Sequence, residues 1–206
     1  MKKIIAITGP SGAGKTTLGD LLEKRCDMVI PYHCTTRKRR QDDKEGFYRY
    51  LTHEEYAEKL ERGEFLISSG DGPEVKREYG NFYGVLKQDC NDAFEKSDMI
   101  ALFVSYRDIS ALHKMRSENS DISIQMVNLT FSDIESGVIQ RLEQRGTNSA
   151  EESIKRIKSA MELNEKYKKA LERLVDVTIY TDLNGIEETY LQAVKELKIE
   201  QKSGRE

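Results

Sequence analysis

Residues 9–16, GPSGAGKT, have the types and spacing that suit phosphate binding. They fit the pattern G-x-x-x-x-G-K-S/T, in which glycines let the loop turn backbone N–H groups towards phosphate oxygens. A helix that begins at the end of the loop adds a favourable partial charge. We expect Lys15 to reach the β- and γ-phosphates of ATP and Thr16 to bind Mg²⁺. The predicted ATP-binding residues are Gly9, Ser11, Gly12, Ala13, Gly14, Lys15, Thr16 and Thr17.

Two further segments concentrate positive charge in a chain with 33 basic residues, 36 acidic residues and a formal net charge of −3. HCTTRKRR (33–40) ends in four consecutive cations, and RLEQRG (141–146) places two arginines four residues apart. Each segment has an ordinary explanation, as a solvated charge run or as surface pairs between neighbouring helical residues. The alternative is an anionic ligand, because arginines on a mobile segment suit a lid that closes on a transferred phosphoryl group.

Strand-like and helix-like segments alternate along the chain. Continuous apolar runs, typical of buried parallel strands, occur at 3–8, 99–104, 122–129 and 175–181, and shorter strands are predicted at 28–34, 47–51, 64–68 and 81–86. Capping boxes predict helices at Thr52 with Glu55, Ser132 with Glu135 and Ser149 with Glu152, and Gly63 ends the first helix. Apolar residues in 154–174 recur on one face of a long helix and are predicted to lie in the core: Ile154, Ile157, Met161, Tyr167, Leu171 and Leu174.

This order of elements predicts an α/β fold with a P-loop NTPase-type parallel sheet and flanking helices. The block 32–86 is rich in short strands and tyrosines, so it is predicted to be a small inserted subdomain. We therefore expect a single domain over 1–206, in which 1–31 and 87–206 form the core. A helical lid is expected at about 141–156.

The composition is that of a globular protein, with 37% hydrophobic and 33% charged residues. The longest apolar run, 99–104, is too short to span a bilayer, and the N-terminal segment lacks a signal-peptide cleavage site. Three widely spaced cysteines and three scattered histidines predict a reducing, cytoplasmic location without a zinc site or a catalytic cysteine. We expect no nucleic-acid or membrane partner, and either a monomer or a homodimer.

GTPase switches, motors and small-molecule kinases all contain P-loops, so the motif alone leaves the reaction open. The guanine-binding pattern N-K-x-D is absent from the sequence, and the chain is short for a motor domain. The two basic segments favour a kinase that binds a second phosphorylated molecule. We therefore predict ATP and Mg²⁺ as cofactors and a small phosphorylated acceptor as the partner.

Several motifs, in order along nearly the whole chain, resemble those of the guanylate kinase family. GPSGAGKTTL resembles its P-loop, and TTRKRR resembles its T-T-R-x-x-R acceptor motif. GFYRYL resembles G-x-D-Y-x-F with one residue fewer, while GEFL and GNFYG resemble G-E-F-L-E and G-N-Y-Y-G. RLEQRGTNSAEESIKRI resembles the lid and the helix after it. The resemblance implies a phosphotransferase that moves the ATP γ-phosphate to the phosphate of a monophosphate, which is GMP in this family.

The resemblance also implies roles for particular residues, and 32–86 would be the acceptor-binding subdomain. The acceptor phosphate would be held by Arg37, Arg40, Tyr48 and Tyr83, which suits the chemistry, because arginine forks bind phosphate bidentately and tyrosine hydroxyls donate without adding charge. The catalytic set implied in the same way is Lys15, Arg141, Arg145 and Arg156.

The chain departs from the family at the positions that recognise the base. Ile67 stands where the family has a glutamate, Val85 where it has a serine or threonine, and His33 where it has a serine. The family's D-x-D-x-x-G is replaced by FVSYRD, so Ser105 or Asp108 stands near a lost acid. The predicted acceptor pocket is therefore formed by His33, Ile67, Val85 and Ser105, and guanine should have little advantage in it.

Three alternatives follow from these departures. An acid from the insertion SGDGPEVKREYG (69–80), namely Asp71, Glu74 or Glu78, could bind the base from another loop. A phosphorylated sugar such as ribose 1,5-bisphosphate could replace GMP as the acceptor. A guanylate-kinase-like binding module without catalysis is the third, although Lys15, Thr16 and the lid arginines would have little reason to accompany a dead site.

Overall fold

Residues 1–40, 43–70, 80–145 and 150–202 are described by the structure, a computed structural model. The strands are β1 (Lys2–Thr8), β2 (His33–Thr35), β3 (Tyr48–Tyr50), β4 (Phe65–Ser68), β5 (Tyr83–Leu86), β6 (Met99–Phe103), β7 (Ile122–Thr130) and β8 (Val177–Tyr180). The α-helices are α1 (Lys15–Arg25), α2 (His53–Glu61), α3 (Lys87–Phe94), α4 (Ile109–Glu118), α5 (Ile134–Arg145), α6 (Ala150–Leu174) and α7 (Ile186–Glu196), with a 3₁₀ turn at Tyr106–Asp108. The predicted α/β class is confirmed.

The main sheet is parallel, with the strand order β6-β1-β7-β8. Its central strand β1 is isoleucine-rich because both of its faces are covered. Ile5 and Ile7 belong to one apolar cluster, and Ile4 and Ala6 belong to a second cluster on the opposite face. The four buried strands predicted from the sequence all lie in this sheet.

A second sheet is formed within residues 33–86 and has the strand order β3-β2-β5-β4. β2 and β3 run parallel, whereas β5 runs antiparallel to both β2 and β4. The strand predicted at 28–34 is confined to β2 and a single parallel bridge between Val29 and Ile100. Pro31 lies between these two pairings, and it has no N–H to donate to a neighbouring strand.

The helix ends show which capping predictions were correct. Thr52 caps α2 in a capping box with Glu55, as predicted. The box predicted at Ser132 with Glu135 is wrong, because the Ser132 hydroxyl and N–H both donate to Asp182. Ser149 lies outside the described residues.

The apolar face of α6 is only partly buried. Leu171 is buried, and Ile157, Tyr167 and Leu174 pack against the two core clusters. Ile154 and Met161 are 64% and 43% exposed, so their predicted place in the core is wrong. A helical period identifies a face, but it does not show how far a neighbouring element extends along that face.

His33 joins the second sheet to the main one. Its Nδ1–H donates to the Pro31 carbonyl at 2.9 Å, and its Nε2 accepts the Phe103 N–H at the end of β6 at 2.8 Å. The ring also stacks on Phe47 with a centroid distance of 5.0 Å. Burial lowers the pKa of His33 to about 4, and the hydrogen bond to Pro31 opposes this shift only in part. The imidazole is therefore neutral in the folded protein near neutral pH.

This buried imidazole predicts a pH-dependent loss of stability. The pKa of His33 is about 4 in the folded protein and 6.5 in the unfolded chain, so the unfolded state takes up a proton first as the pH falls. His33 therefore leaves the free energy of unfolding unchanged above pH 6.5 and lowers it as the pH falls towards 4. Between about pH 7 and pH 4.5 we expect a loss of about 2 kcal/mol from this group. The measurement is the free energy of urea unfolding across this range for the wild type and for His33→Gln.

The difference between the two proteins isolates the histidine. Burial raises the pKa of Asp108 to about 6, so its contribution to the free energy of unfolding falls as the pH rises through the same window. This pH dependence has the opposite sign to that of His33. That contribution is common to both proteins and cancels in the comparison. His33→Gln should be less stable than the wild type at neutral pH, and the gap should close as the pH is lowered. A constant gap would contradict the assignment.

Candidate active site

The loop between β1 and α1 has the shape of a phosphate cradle. Gly9 and Gly12 adopt φ values of 146° and 85°, which L side chains rarely adopt. A Cβ at Gly9 would lie 2.1 Å from the Leu129 carbonyl oxygen, and one at Gly12 would lie 2.7 Å from Cβ of Arg141. α1 begins without a side-chain cap, so its first N–H groups are not satisfied by its N-cap residue, Gly14.

Lys15 lies across this loop. Its Nζ donates to the carbonyl oxygens of Gly9 at 2.8 Å and Pro10 at 2.9 Å. The adjacent Thr16 and Thr17 are exposed, so the Thr16 hydroxyl is accessible to a ligand. An ammonium group held over the loop by neutral carbonyls is well placed to pair with phosphate oxygens, which carry full charge.

The other loop residues differ in what they can offer a nucleotide. Ser11 is half-buried, whereas Ala13 is buried in one of the two core clusters. Ala13 can therefore contribute only backbone groups to a phosphate site. The prediction that Ala13 binds ATP therefore concerns its backbone alone, and it stays a prediction.

A cavity of about 240 Å³ opens beside the loop. It is bounded by Thr17 and Leu21 of α1, by Arg141 of α5, and by Asn184 and Ile186 after β8. Its mixture of apolar and amide groups suits the base and ribose of a nucleotide. Sequence reasoning missed Leu21, Asn184 and Ile186. The rule that ligands bind at the carboxyl ends of parallel strands would have pointed to the segment after β8.

The predicted lid arginines lie on α5 and α6. Arg141 packs over Gly12, and its Nη2 donates to the Thr181 carbonyl at 3.4 Å, which places it at the cavity. Arg145 ends α5, and its side chain lies outside the described part of the chain. Arg156 is half-buried on α6. Arg141 is thus the lid arginine that the described side chains place at the predicted nucleotide site, and the catalytic roles stay predictions.

The second sheet gathers most of the predicted acceptor-phosphate residues. The parallel register of β2 and β3 pairs His33 with Tyr48 and Thr35 with Tyr50, so both tyrosines project on one side of β3. The Arg37 guanidinium lies 4.7 Å from the ring centroid of Tyr48. Tyr83, on β5, pairs with Thr35 of β2, which also pairs with Tyr50, so Tyr83 lies on the same face of the sheet as the two tyrosines of β3. Arg37 and Tyr48 are thus in contact, and Tyr83 shares their face of the sheet.

An acid that sequence reasoning missed lies in this cluster. Arg37 donates Nη1 and Nη2 to the two carboxylate oxygens of Asp43 at 2.7 and 2.5 Å. The Tyr50 hydroxyl donates to the same carboxylate at 2.6 Å, and the Arg40 N–H donates to it at 2.7 Å. The signal in the sequence was an aspartate six residues after an arginine expected to bind phosphate, but in such a charged segment it did not stand out.

Burial and hydrogen bonding act in opposite directions on the cluster's protonation. Burial by itself would raise the pKa of Asp43, but hydrogen bonds from Arg37, Tyr50 and the Arg40 N–H lower it far below its usual range. Burial would likewise lower the pKa of Arg37, whereas its bond to Asp43 raises it. Burial raises the pKa of Tyr48. The Arg37–Asp43 pair is therefore ionised, and Tyr48 is neutral.

The predicted base-pocket residues are largely enclosed. Ile67 and Val85 pair across β4 and β5, and both are buried in the apolar cluster that also contains Ile4. Both ring nitrogens of His33 are engaged by the backbone, and its side chain is buried. In this conformation these three side chains present no hydrogen-bonding group to a ligand, and their place in an acceptor pocket stays a prediction.

Ser105 and Asp108 form the start of the 3₁₀ turn. The Ser105 hydroxyl accepts the Arg107 N–H at 3.0 Å, and the Asp108 carboxylate accepts the Ser105 N–H at 2.7 Å. Asp108 is buried, which raises its pKa to about 6, while the Ser105 N–H and Arg107 oppose the rise. Ser105 therefore caps the turn, and its place in an acceptor pocket stays a prediction.

The donor set can be tested against a bound magnesium ion. Among the described residues, no group of three or more histidine, cysteine, aspartate or glutamate side chains is arranged to hold a metal. Mg²⁺ in nucleotide sites is bound through phosphate oxygens, water and few protein ligands, so a full cage is not required. The exposed Thr16 hydroxyl beside the glycine cradle fits that pattern.

Comparison with known proteins agrees with this geometry. The family model for guanylate kinase matches residues 1–199. The chain belongs to the guanylate kinase family. It is 32% identical over 160 residues to a guanylate kinase of Clostridium perfringens, covering 76% of this chain and 68% of that protein. It is 29% identical over 160 residues to the guanylate kinase of Thermotoga maritima, covering 77% and 71%.

A comparison with solved structures shows the same fold. A crystal structure of guanylate kinase from Anaplasma phagocytophilum superposes with a TM-score of 0.67 at 20% identity, covering 96% of this chain and 85% of that one. The family consists of nucleoside monophosphate kinases, so the chain is a phosphotransferase of that type. A sugar phosphate such as ribose 1,5-bisphosphate finds no support in these likenesses.

Membership in the family bears on the predicted cofactors and on the predicted class of substrate. Guanylate kinases use ATP and Mg²⁺ and act on small nucleotides.

Over the described ranges, the helices are all too short or too polar to cross a membrane. The three cysteines are free thiols, and all are buried.

Replacing Lys15 with methionine should separate catalysis from folding. Lys15 is half-buried and its Nζ donates to two carbonyls of its own loop, so Lys15→Met should leave the unfolding temperature nearly unchanged. Loss of its charge from the phosphate site should lower kcat by about a hundredfold or more. Steady-state ADP release measures kcat.

The matched control is Lys24→Met, which changes an exposed lysine of the same helix and should behave as the wild type. Retained turnover in Lys15→Met would contradict the P-loop assignment.

Proposed function

We propose that this protein transfers the γ-phosphate of ATP to the phosphate of GMP. The observation that carries the proposal is that Arg37, Tyr48 and Tyr83 gather on one face of the second sheet, in a chain whose main sheet carries a P-loop. A phosphotransferase of this kind must bind two polyanions at once, and each binding site needs its own donors. The guanylate kinase relatives support GMP as the acceptor.

On the donor side, the glycine cradle and the start of α1 would bind the phosphates of ATP. Lys15 would exchange its two loop carbonyls for the β- and γ-phosphate oxygens, where its charge stabilises the transition state. Thr16 would bind Mg²⁺, which when present neutralises charge that develops on the transferred group. The cavity lined by Leu21, Asn184 and Ile186 would receive the adenosine.

On the acceptor side, the hydroxyls of Tyr48 and Tyr83 would donate to the GMP phosphate together with Arg37. Neutral hydroxyl donors bind phosphate oxygens without adding further charge to the site. Arg40, whose N–H bonds to Asp43, would add its side chain from the same loop. Lys38 and Arg39 are exposed, so they would act at longer range by attracting an anion to the site.

The lid arginines would complete the site when it closes. Arg141 already contacts the P-loop at Gly12, so it is the one placed to bridge the two phosphates first. Arg145 and Arg156 would add charge at the moment of transfer. Positive charge supplied from a closing segment offsets the repulsion between ATP and GMP only where the phosphates meet.

Recognition of the base is where this protein should differ from its relatives. The buried pair Ile67 and Val85 offers guanine no hydrogen bond, and His33 has committed both nitrogens to the backbone. Selectivities of ten-thousandfold or more require a site that hydrogen-bonds the substrate's polar groups. We therefore propose that GMP is accepted mainly through its phosphate and ribose.

An acceptor screen tests this proposal. Coupled ADP detection with GMP should show turnover, whereas guanosine should be inert because it lacks the phosphate that Arg37, Tyr48 and Tyr83 bind. AMP should be used at a kcat/KM within about a thousandfold of that for GMP. A preference for GMP above that ratio would contradict the account of the base pocket. Absence of turnover with every nucleoside monophosphate would contradict the function itself.

Two phenylalanine variants extend the same test. Tyr48→Phe and Tyr83→Phe each remove one hydroxyl while they keep the ring, so each should raise KM for GMP by about three- to tenfold. KM for ATP should not change. Tyr32→Phe alters an exposed hydroxyl outside the cluster and serves as the matched control.

A further inference from the structure

The Arg37 guanidinium directs one of its two hydrogen-bonding edges at Asp43. Its Nη1 donates one hydrogen to Asp43 Oδ2 and the other to the Lys38 carbonyl at 3.0 Å, and its Nη2 donates to Asp43 Oδ1. A guanidinium has five N–H groups in a fixed plane. The N–H groups of the other edge, on Nε and Nη2, are parallel and form a second fork, which matches two oxygens of a phosphate.

Asp43 is itself held in place from three directions. Besides the two bonds from Arg37, its Oδ2 accepts the Tyr50 hydroxyl at 2.6 Å and the Arg40 N–H at 2.7 Å. The side chains of Arg37 and Asp43 are only 5% and 8% exposed. Tyr50 also stacks beside Arg37, with 5.8 Å between its ring centroid and the guanidinium carbon. The position of the guanidinium is therefore fixed before any ligand arrives.

We propose that Asp43, itself held by the Tyr50 hydroxyl, is a positioning residue that presents the second fork of Arg37 to the acceptor phosphate. The inference rests on the proposed function, because it takes Arg37 as an acceptor-phosphate ligand. Asp43 does not touch the acceptor. It immobilises the arginine through the edge that the phosphate does not use.

The charges and the backbone support positioning over simple masking of the arginine. A carboxylate that competed with the phosphate would be expected on an exposed, loosely held side chain, whereas Asp43 is buried and has four donors. A freely rotating arginine would lose more conformational entropy on binding than one that is already fixed. Asp43 and Arg37 together contribute no net charge. The pair therefore gives the acceptor site two correctly oriented N–H donors, and the net positive charge must come from other cations.

The test compares acceptor and donor constants in two variants. Asp43→Asn keeps the size of the side chain, but its amide faces Arg37 with a donor in place of one acceptor oxygen, so KM for GMP should rise by about tenfold or more. KM for ATP should stay within about twofold of the wild-type value. Tyr50→Phe removes only the hydroxyl that supports Asp43, so it should raise KM for GMP by a smaller factor, about threefold. Asp43→Glu, which restores the carboxylate, should recover part of the loss.

Calorimetric titration with GMP alone separates this inference from the proposed function. If the wild type binds no GMP, both fail. If the wild type binds GMP and Asp43→Asn binds it as well or more tightly, the positioning role is wrong and the proposed function stands. If Asp43→Asn does not fold, Tyr50→Phe decides, because it leaves the ion pair in place. An unchanged KM for GMP in Tyr50→Phe would then overturn the inference, and equal rises in KM for GMP and ATP would overturn it too.

Discussion

The pairing of β1 between β6 and β7 is the constraint on which the rest of the structure depends. Its register places Ile7 opposite Phe103 and Thr8 opposite Asn128, so all three strands end at one edge of the sheet. The glycine loop leaves β1 at that edge and lies so close to β7 that a Cβ at Gly9 would collide with the Leu129 carbonyl. β6 ends at the same edge, where the Phe103 N–H binds His33 of the second sheet. One strand alignment thus positions both the glycine loop and the attachment of the second sheet.

The two sheets are joined by apolar packing as well as by this hydrogen bond. Ile67 and Val85 of the second sheet share a cluster with Ile100 and Leu102 of the first. Residues at these positions bind the base in the family that the sequence resembles, but here they hold two layers together. Apolar side chains at these two positions add buried area between the sheets, which stabilises their contact.

The fold was largely predictable from the sequence, because buried parallel strands and a glycine-rich loop have strong local signatures. The nucleotide loop at 9–16 and the convergence of Arg37 with Tyr48 follow from motifs whose residues lie close together in the chain. Predictions failed where long-range contacts decide: Ser132 pairs with Asp182 fifty positions later, and Ile154 is 64% exposed on its helix. The role of Asp43 was invisible for a similar reason, because a single acid in a charged segment gains meaning only from the groups around it.

The close approach of Gly12 to Arg141 has a mechanical consequence. With no side chain at position 12, the β-carbon of the lid arginine rests directly on the nucleotide loop. A displacement of α5 must therefore either lift Arg141 from the loop or carry the loop with it. The cavity beside them has α5 as one wall and the loop as its floor, so its width and the shape of the phosphate cradle cannot vary independently. Movement of α5 and a change in the shape of the loop are therefore coupled through this one contact.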